Sequence, residues 1–327
     1  SLGGERLDCP RWRIGTHEGD GSAHAVPDLS RPDAEGLFPL TRVVAMVGNP
    51  VEENPLDLLF NRFLERDSVP LRQLKFHVER PEDLPACLEG ARKLGFLSFG
   101  VTVPYKVAMA SLCDEIHPES RGIGAINLVL FEGPERRAVG QNTDGVAIAN
   151  SIRRVGTFVG KRLLLLGAGG AARGIGAELA RQGAAGITVA ARDPNQGIPV
   201  AQMLESFGGD GFDADYVHWH GALAIPDGVD IVLNATPVGS APARDELDLD
   251  WSTLARVEMA VDVVTGPRRT PFLARARSLG LTTVDGVDML VDIVEVNIET
   301  FGVDVARADI DAYARELTGP PISDVTA

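Results

Sequence analysis

The sequence predicts an α/β protein, with an N-terminal α/β substrate domain followed by a C-terminal Rossmann-type dinucleotide-binding domain. Three observations carry that expectation. From Arg42 onward, apolar strand-like runs alternate with segments of helical spacing. A strand, Arg162–Leu166, whose last four residues are leucines, runs into the turn Gly167-Ala168-Gly169-Gly170-Ala171-Ala172 and then into a helical segment. A chain of 327 residues also exceeds what one core comfortably organises, so two domains with a cleft between them are expected.

Residues 1–41 carry Pro, Gly, Asp and Ser without sustained periodicity and read as a poorly ordered extension or the remnant of a neighbouring domain. Val43–Val47 is a buried-type strand, Leu56–Arg66 a helix, Leu71–Val78 a strand, Glu82–Leu94 a helix and Leu97–Val103 a strand. After the Pro104-Tyr105-Lys106 turn a third helix is expected over Val107–Ile116. Ala125–Leu130 and the segment around Ala138–Val139 flank Gly133-Pro134 and suit a hairpin. Asn142-Thr143-Asp144-Gly145 opens a helix through about Ile152, with Asn142 or Thr143 as cap. Gly170–Gln182 reads as a helix ended by Gly183, and Gly186–Ala191 as the next strand, closing a βαβ unit. Further strands are expected at Ile231–Asn234, Met259–Val263 and Leu281–Val284, and helices at Asp288–Thr300 and Arg307–Leu317. The expected division is therefore residues 42–144 for the substrate domain, 145–285 for the Rossmann domain and 286–327 for helices that pack back on the first domain.

With 31 Lys+Arg against 46 Asp+Glu the formal charge is -15, which disfavours nucleic acid and an anionic membrane face as partners. A small-molecule partner is expected instead, bound by a monomer or homodimer. No apolar run approaches the ~20 residues of a membrane span, and Ser1-Leu2-Gly3-Gly4-Glu5-Arg6 lacks a signal-peptide pattern, so a cytoplasmic location is expected. Cys9, Cys87 and Cys113 lack metal-like spacing and read as reduced bystanders. His218 and His220 fall in Tyr216–His220, whose alternation describes an ordinary strand, and no metal is expected there.

In the glycine turn, the tight bend and the absence of side chains let backbone N–H groups approach a pyrophosphate at the positive end of the helix. The choice of nicotinamide falls on Ala191-Arg192-Asp193-Pro194-Asn195-Gln196. Arg192 favours the 2′-phosphate of NADP, whereas Asp193 suits a ribose 2′-hydroxyl and repels that phosphate. The two charges argue oppositely, and these residues by themselves leave NADP and NAD both open. Lys106 lies just beyond a strand end, and Asp144 and Asn127 arrive from two other segments. A lysine there can receive a hydroxyl proton as hydride leaves, with the carboxylate holding hydroxyl and ammonium in place. Which of Lys106 and Asp144 is the base stays open, since the carboxylate and burial push the lysine in opposite directions.

At these residues the chain resembles the shikimate dehydrogenase family, which includes the quinate/shikimate dehydrogenases. The family signature Val-Thr-Val/Ile-Pro-Xaa-Lys, Gly-Ala-Val/Ile-Asn and Asn-Thr-Asp-Gly matches Val101–Lys106, Gly124–Asn127 and Asn142–Gly145. It continues through Gly167–Gly174, Asn234–Gly239, Asp262, Thr270–Leu273 and Gly286–Leu290, covering about residues 42–304. The resemblance implies interconversion of a cyclic 3-keto acid and its alcohol, of the 3-dehydroshikimate to shikimate type. It makes Lys106 and Asp144 the catalytic pair, puts Thr102 and Asn127 on ring hydroxyls, and places Gly167–Ala172, Arg192, Asp193, Thr236, Val263 and Gly286 beside the cofactor.

The departures are grouped. Where the family carries two serines that bind the substrate carboxylate, this chain has Asn54 and Leu56; the family's tyrosine and glutamine align with Thr265 and Ile293. Asn54, Thr265 and Ile293 are thus the candidates at the carboxylate end. In the NADP stretch the family's Asn-Arg-Thr with a later basic residue is Ala191-Arg192-Asp193 and Gln196, and Arg192, kept at the family's position, makes NADP the expected cofactor with NAD as the alternative. The alternatives are a relative acting on quinate or another ring, and a non-catalytic sensor of metabolite and nucleotide.

Overall fold

The computed structural model describes residues 41–52, 54–67, 69–241, 245–298 and 303–319, so the expectation for residues 1–41 falls almost wholly outside the described residues. Strand β1 (Arg42–Gly48), helix α1 (Leu56–Arg66), strand β2 (Leu71–His77), helix α2 (Leu84–Lys93) and strand β3 (Ser98–Val101) follow in order. β2 and β3 flank β1 in parallel, with Val44 opposite both Gln73 and Ser98. Both helices show one apolar stripe, Leu59, Phe60, Phe63 and Leu64 on α1 and Leu84, Leu88 and Ala91 on α2, and bury it.

Helix α3 covers only Lys106–Ala110, and the expected continuation to Ile116 does not form. Beyond Met109 no residue of that stretch is buried, while the backbone is drawn to a sheet edge. Asp114 N donates to Ala138 O (2.9 Å) and Ala138 N donates to the Asp114 carboxylate (2.7 Å). Glu115–Ile116 accordingly becomes β4, pairing with β6 (Arg137–Gln141), the second arm of a hairpin begun by β5 (Leu128–Glu132). The hairpin is the one expected around Gly133. The first sheet is thus six-stranded, in the order β2-β1-β3-β5-β6-β4.

Helix α4 (Asp144–Val155) leads to β7 (Arg162–Leu166), α5 (Gly170–Arg181), β8 (Gly186–Ala191), α6 (Pro194–Glu205), β9 (Asp213–His218), β10 (Ile231–Asn234), β11 (Met259–Asp262), α7 (Pro271–Ser278) and β12 (Thr282–Val284). The six strands form one parallel sheet, β9-β8-β7-β10-β11-β12. This is the doubly wound order, with its switch point between β7 and β10, where such folds bind nucleotides. Helices α6 and α7 were not expected. Pro194, Gly197 and Pro199 read as breakers, yet Pro194 occupies the first turn, Asp193 caps the helix through Asn195 N, and a side chain at Gly197 would collide with Tyr216. α7 is capped in the same way by Thr270, which accepts from Leu273 N. β9 starts earlier than the alternation suggested and ends at His218.

α4 and α5 cross closely because glycines face each other: a Cβ on Gly145 would collide with Gly174 O, and one on Gly174 with Asn142 Oδ1. Gly174→Ala is therefore expected to destabilise by ~1–3 kcal/mol and to displace Asn142. A melting temperature lower by a few degrees, with reduced turnover, is the expected outcome; an unchanged melting curve would mean that the two helices separate at no cost.

The last helices are α8 (Gly286–Ile298), two residues longer at its start than expected, and α9 (Arg307–Thr318); Thr300, the expected end of α8, lies outside the described residues. Asp292 on α8 is buried between Arg154 of α4 (2.6 Å) and Arg307 of α9 (2.8 Å) and accepts from Ser151. α9 reaches back to α1, where the Tyr313 and Phe63 rings meet edge-on at 6.3 Å.

Candidate active site

The turn after β3 is pinned on both sides. Thr102 N donates to Val47 O (2.8 Å), Tyr105 N to Thr102 O (3.0 Å), and the hydroxyl of Tyr105, a residue 2% exposed, to Val78 O (2.6 Å). Lys106, the first residue of α3, therefore emerges beyond the carboxyl end of the first sheet. Asp144 is the first residue of α4, and the Lys106 Nζ lies 2.5 Å from its Oδ2, the two side chains being 14% and 2% exposed. The other oxygen, Oδ1, accepts from Asn127 Nδ2 (2.8 Å). Asn127 is itself oriented by Thr143, whose N donates to Asn127 Oδ1 (2.9 Å) and whose hydroxyl lies 3.0 Å from Asn127 Nδ2. Of the two candidate caps it is Asn142 whose side chain accepts the Asp144 N–H (3.1 Å), while its amide donates to Ala125 O (3.0 Å). Tyr105 was not singled out from sequence, and Asn142 and Thr143 were named only as caps of α4, although each lies inside a motif quoted above.

The glycine turn lies against this cluster. Gly167 has φ 106°, and a Cβ there would sit 3.0 Å from Thr236 Cγ2. Gly169, the N-cap of α5, has open space where a side chain would be, whereas Ala172 is fully buried, as close helix-to-strand packing requires. A Cβ on Gly170 would collide with the Lys106 stem. The lysine thus lies across the first turn of α5, where the free N–H groups and the positive helix end favour an anion. The open cradle at Gly169, bounded by small residues, fits a dinucleotide pyrophosphate.

Thr236 is held by Asn234 Oδ1, which accepts from the Thr236 N (3.0 Å) and hydroxyl (2.6 Å), and Asn234 Nδ2 donates to Asp262 (3.0 Å). Burial pushes the Asp262 carboxyl up to about 7, against the hydrogen bonds it accepts from Thr270, Val264 N and Asn234. Val263 follows directly, its N donating to Asn234 O (3.1 Å). Gly286 is buried, and a side chain there would collide with Val264 O, so close packing is what demands glycine at that position. Arg192 is exposed; the Asp193 Oδ1 is engaged as the α6 cap, accepting from Asn195 N (2.9 Å).

At the altered end, Asn54 Oδ1 accepts from Leu56 N (3.0 Å), which shapes the entry to α1. Leu56 packs against the main apolar core and Ile293, 7% exposed, lies within it; Thr265 is half-buried just after β11. The Lys75 ammonium reaches this loop but is held by Glu52 O (3.1 Å) and Asn54 O (3.0 Å), with Asp57 Oδ1 at 3.1 Å as an ion pair outside hydrogen-bond alignment. Among the described residues no group of three or more His, Cys, Asp and Glu side chains is placed to hold a metal, and no helix is long and apolar enough to cross a membrane.

A doubly wound sheet with an open glycine cradle, and a lysine–carboxylate pair laid over the cradle from a second sheet, define an oxidoreductase of the nicotinamide-dinucleotide class. The comparisons with known proteins specify it further. Residues 46–129 match the shikimate dehydrogenase substrate binding domain. The shikimate dehydrogenase (NADP(+)) of Geobacter metallireducens is 38% identical over 254 residues, 77% of this chain and 87% of that protein. A crystal structure of a shikimate dehydrogenase in complex with NADP+ superposes with a TM-score of 0.74 at 29% identity, covering 85% of this chain and 96% of the other. A 5-ketofructose reductase of Gluconobacter, in its ligand-free form, superposes with a TM-score of 0.73, also at 29% identity, covering 85% and 99%. The chain belongs to the shikimate dehydrogenase family.

Proposed function

We propose that the protein catalyses reversible, NADP-dependent hydride transfer at a ring hydroxyl or keto carbon of a shikimate-like hydroxy acid, of the 3-dehydroshikimate to shikimate type. The observation that carries this reading is the placement of Lys106: its stem crosses the first turn of α5 while its ammonium meets Asp144 at 2.5 Å. A dinucleotide whose pyrophosphate was held by the Gly167–Ala172 turn would supply or accept the hydride through its nicotinamide ring. The Lys106 ammonium has three hydrogens, of which Asp144 engages one, so it can donate a proton to the carbonyl oxygen as the carbon is reduced. In the reverse direction the same amine receives the hydroxyl proton. Asp144, with one oxygen on Lys106 and the other on Asn127, holds the ammonium in place. Thr102 and Asn127 are assigned to ring hydroxyls, and Gly167–Ala172, Thr236 and Val263 to the nucleotide. A cytoplasmic monomer or homodimer is part of the same reading.

The experiment is an assay at the reduced-nicotinamide absorbance band with shikimate and quinate, each with NADP and NAD. Turnover with none of the four pairs would overturn the reading and favour a sensor, against which the intact Lys106–Asp144 contact argues. Of the alternatives, quinate carries the same carboxylate as shikimate, so it is a ring lacking that group that is favoured by Leu56 and Ile293 standing within apolar packing, and by the resemblance to a 5-ketofructose reductase.

For the nucleotide, Asp193→Thr is expected to improve kcat/KM with NADP relative to NAD. It removes a negative charge facing the 2′-phosphate, and threonine can still cap α6. An unchanged or worsened ratio would place the Asp193 carboxylate away from the phosphate.

A further inference from the structure

The stretch that meets the adenosine ribose is one cation short of the family pattern, since Gln196 stands at the later basic position while Arg192 remains. The structure brings other nitrogen donors to the same place from the neighbouring edge strand. β9 pairs with β8 so that His218 lies opposite Ala191, the residue before Arg192. The His218 Nε2 is 3.1 Å from Arg192 O. A carbonyl oxygen only accepts, so Nε2 carries the hydrogen and Nδ1 is the ring atom left free. The ring of His220 stands edge-on to that of His218, with centroids 5.2 Å apart. Both histidines are exposed, and Trp219 between them is buried, its N donating to Ala191 O (3.0 Å) and its Nε1 to Asp248 O (2.9 Å). The anchored tryptophan keeps both imidazoles on the solvent side of the strand end, next to Arg192.

Resting on the dinucleotide reading above, we propose that His218 and His220 join Arg192 in a subsite for the 2′-phosphate of NADP, replacing the basic residue lost at Gln196. With its Nε2–H held by Arg192 O, His218 donates to a phosphate oxygen through Nδ1 only as the imidazolium. Among the described residues, the contacts at this corner bring in Arg192 and Asp193 of the β8–α6 turn, Tyr216, whose hydroxyl donates to Ala191 O (3.1 Å), and Asp248, whose carbonyl receives Trp219 Nε1. The Arg192 charge supports the phosphate, and the Asp193 charge opposes it.

The test is the Kd of NADP+ and of NAD+ at pH 6 for the unaltered protein and for His218→Gln/His220→Gln, since glutamine can still donate to Arg192 O but carries no charge. The double variant is expected to bind NADP+ about tenfold more weakly, with no change for NAD+. Unchanged NADP+ affinity would overturn the subsite. Equal losses for the two nucleotides would overturn it too, and would place the histidines on the shared adenosine or in the fold. If the unaltered protein bound neither nucleotide, the dinucleotide reading itself would fall, and the subsite with it.

Discussion

Lys106→Ala is expected to lower kcat by about a hundredfold or more while leaving the Kd of the nucleotide nearly unchanged, because proton transfer is lost and the glycine cradle is kept. The substitution also strips Asp144, 2% exposed, of its cation. An unpaired buried carboxylate is costly, so a lower melting temperature accompanies the loss. Lys106→Met separates the two effects. It keeps the stem that lies over Gly170 and removes only the amine, so it shares the kinetic defect if the amine moves the proton. Stopped-flow and steady-state rates, with nucleotide binding measured by fluorescence, check both variants. Retention of most of the turnover in either one would remove Lys106 from the proton path.

The second large effect concerns the substrate carboxylate. A carboxylate entering beside Leu56 and Ile293 loses water without gaining hydroxyl or amide donors. Each missing partner of a charged group is worth ~1.5–3 kcal/mol, so two or three together weaken binding by several orders of magnitude. Among the described residues the Lys75 ammonium is taken up by two carbonyls and Asp57, which leaves the Asn54 amide, whose Oδ1 is engaged by Leu56 N, and the Thr265 hydroxyl as the neutral donors at that end. The expected result is a poor KM for shikimate with an intact Lys106–Asp144 pair. Restoring Asn54→Ser, Leu56→Ser and Ile293→Gln together should raise kcat/KM for shikimate by about two orders of magnitude. A micromolar KM in the unaltered protein would mean that other residues hold the carboxylate.

Most of the architecture, and the residues of the proposed chemistry, were legible in the sequence because each depends on a local pattern. The four leucines 163–166 before Gly167-Ala168-Gly169 read as a buried strand entering a tight turn, and Val101–Lys106, Gly124–Asn127 and Asn142–Gly145 are short segments whose order is itself specific. Local reading failed where a distant segment decides the outcome. Val107–Ile116 has helical spacing, yet Asp114 is pulled onto Ala138 and the helix ends at Ala110. Pro194, Gly197 and Pro199 look like breakers until Tyr216 arrives from β9 and needs the space a glycine leaves. Asp193 carries no sign in sequence of whether it faces a ribose or caps a helix; the position of Asn195 N engages it as the cap. Which side chains could meet was thus written in local patterns of polarity and glycine. That Lys106 lies across α5, and that His218 stands beside Arg192, follows only from packing two sheets and pairing strands in register, since those contacts join residues far apart in the chain.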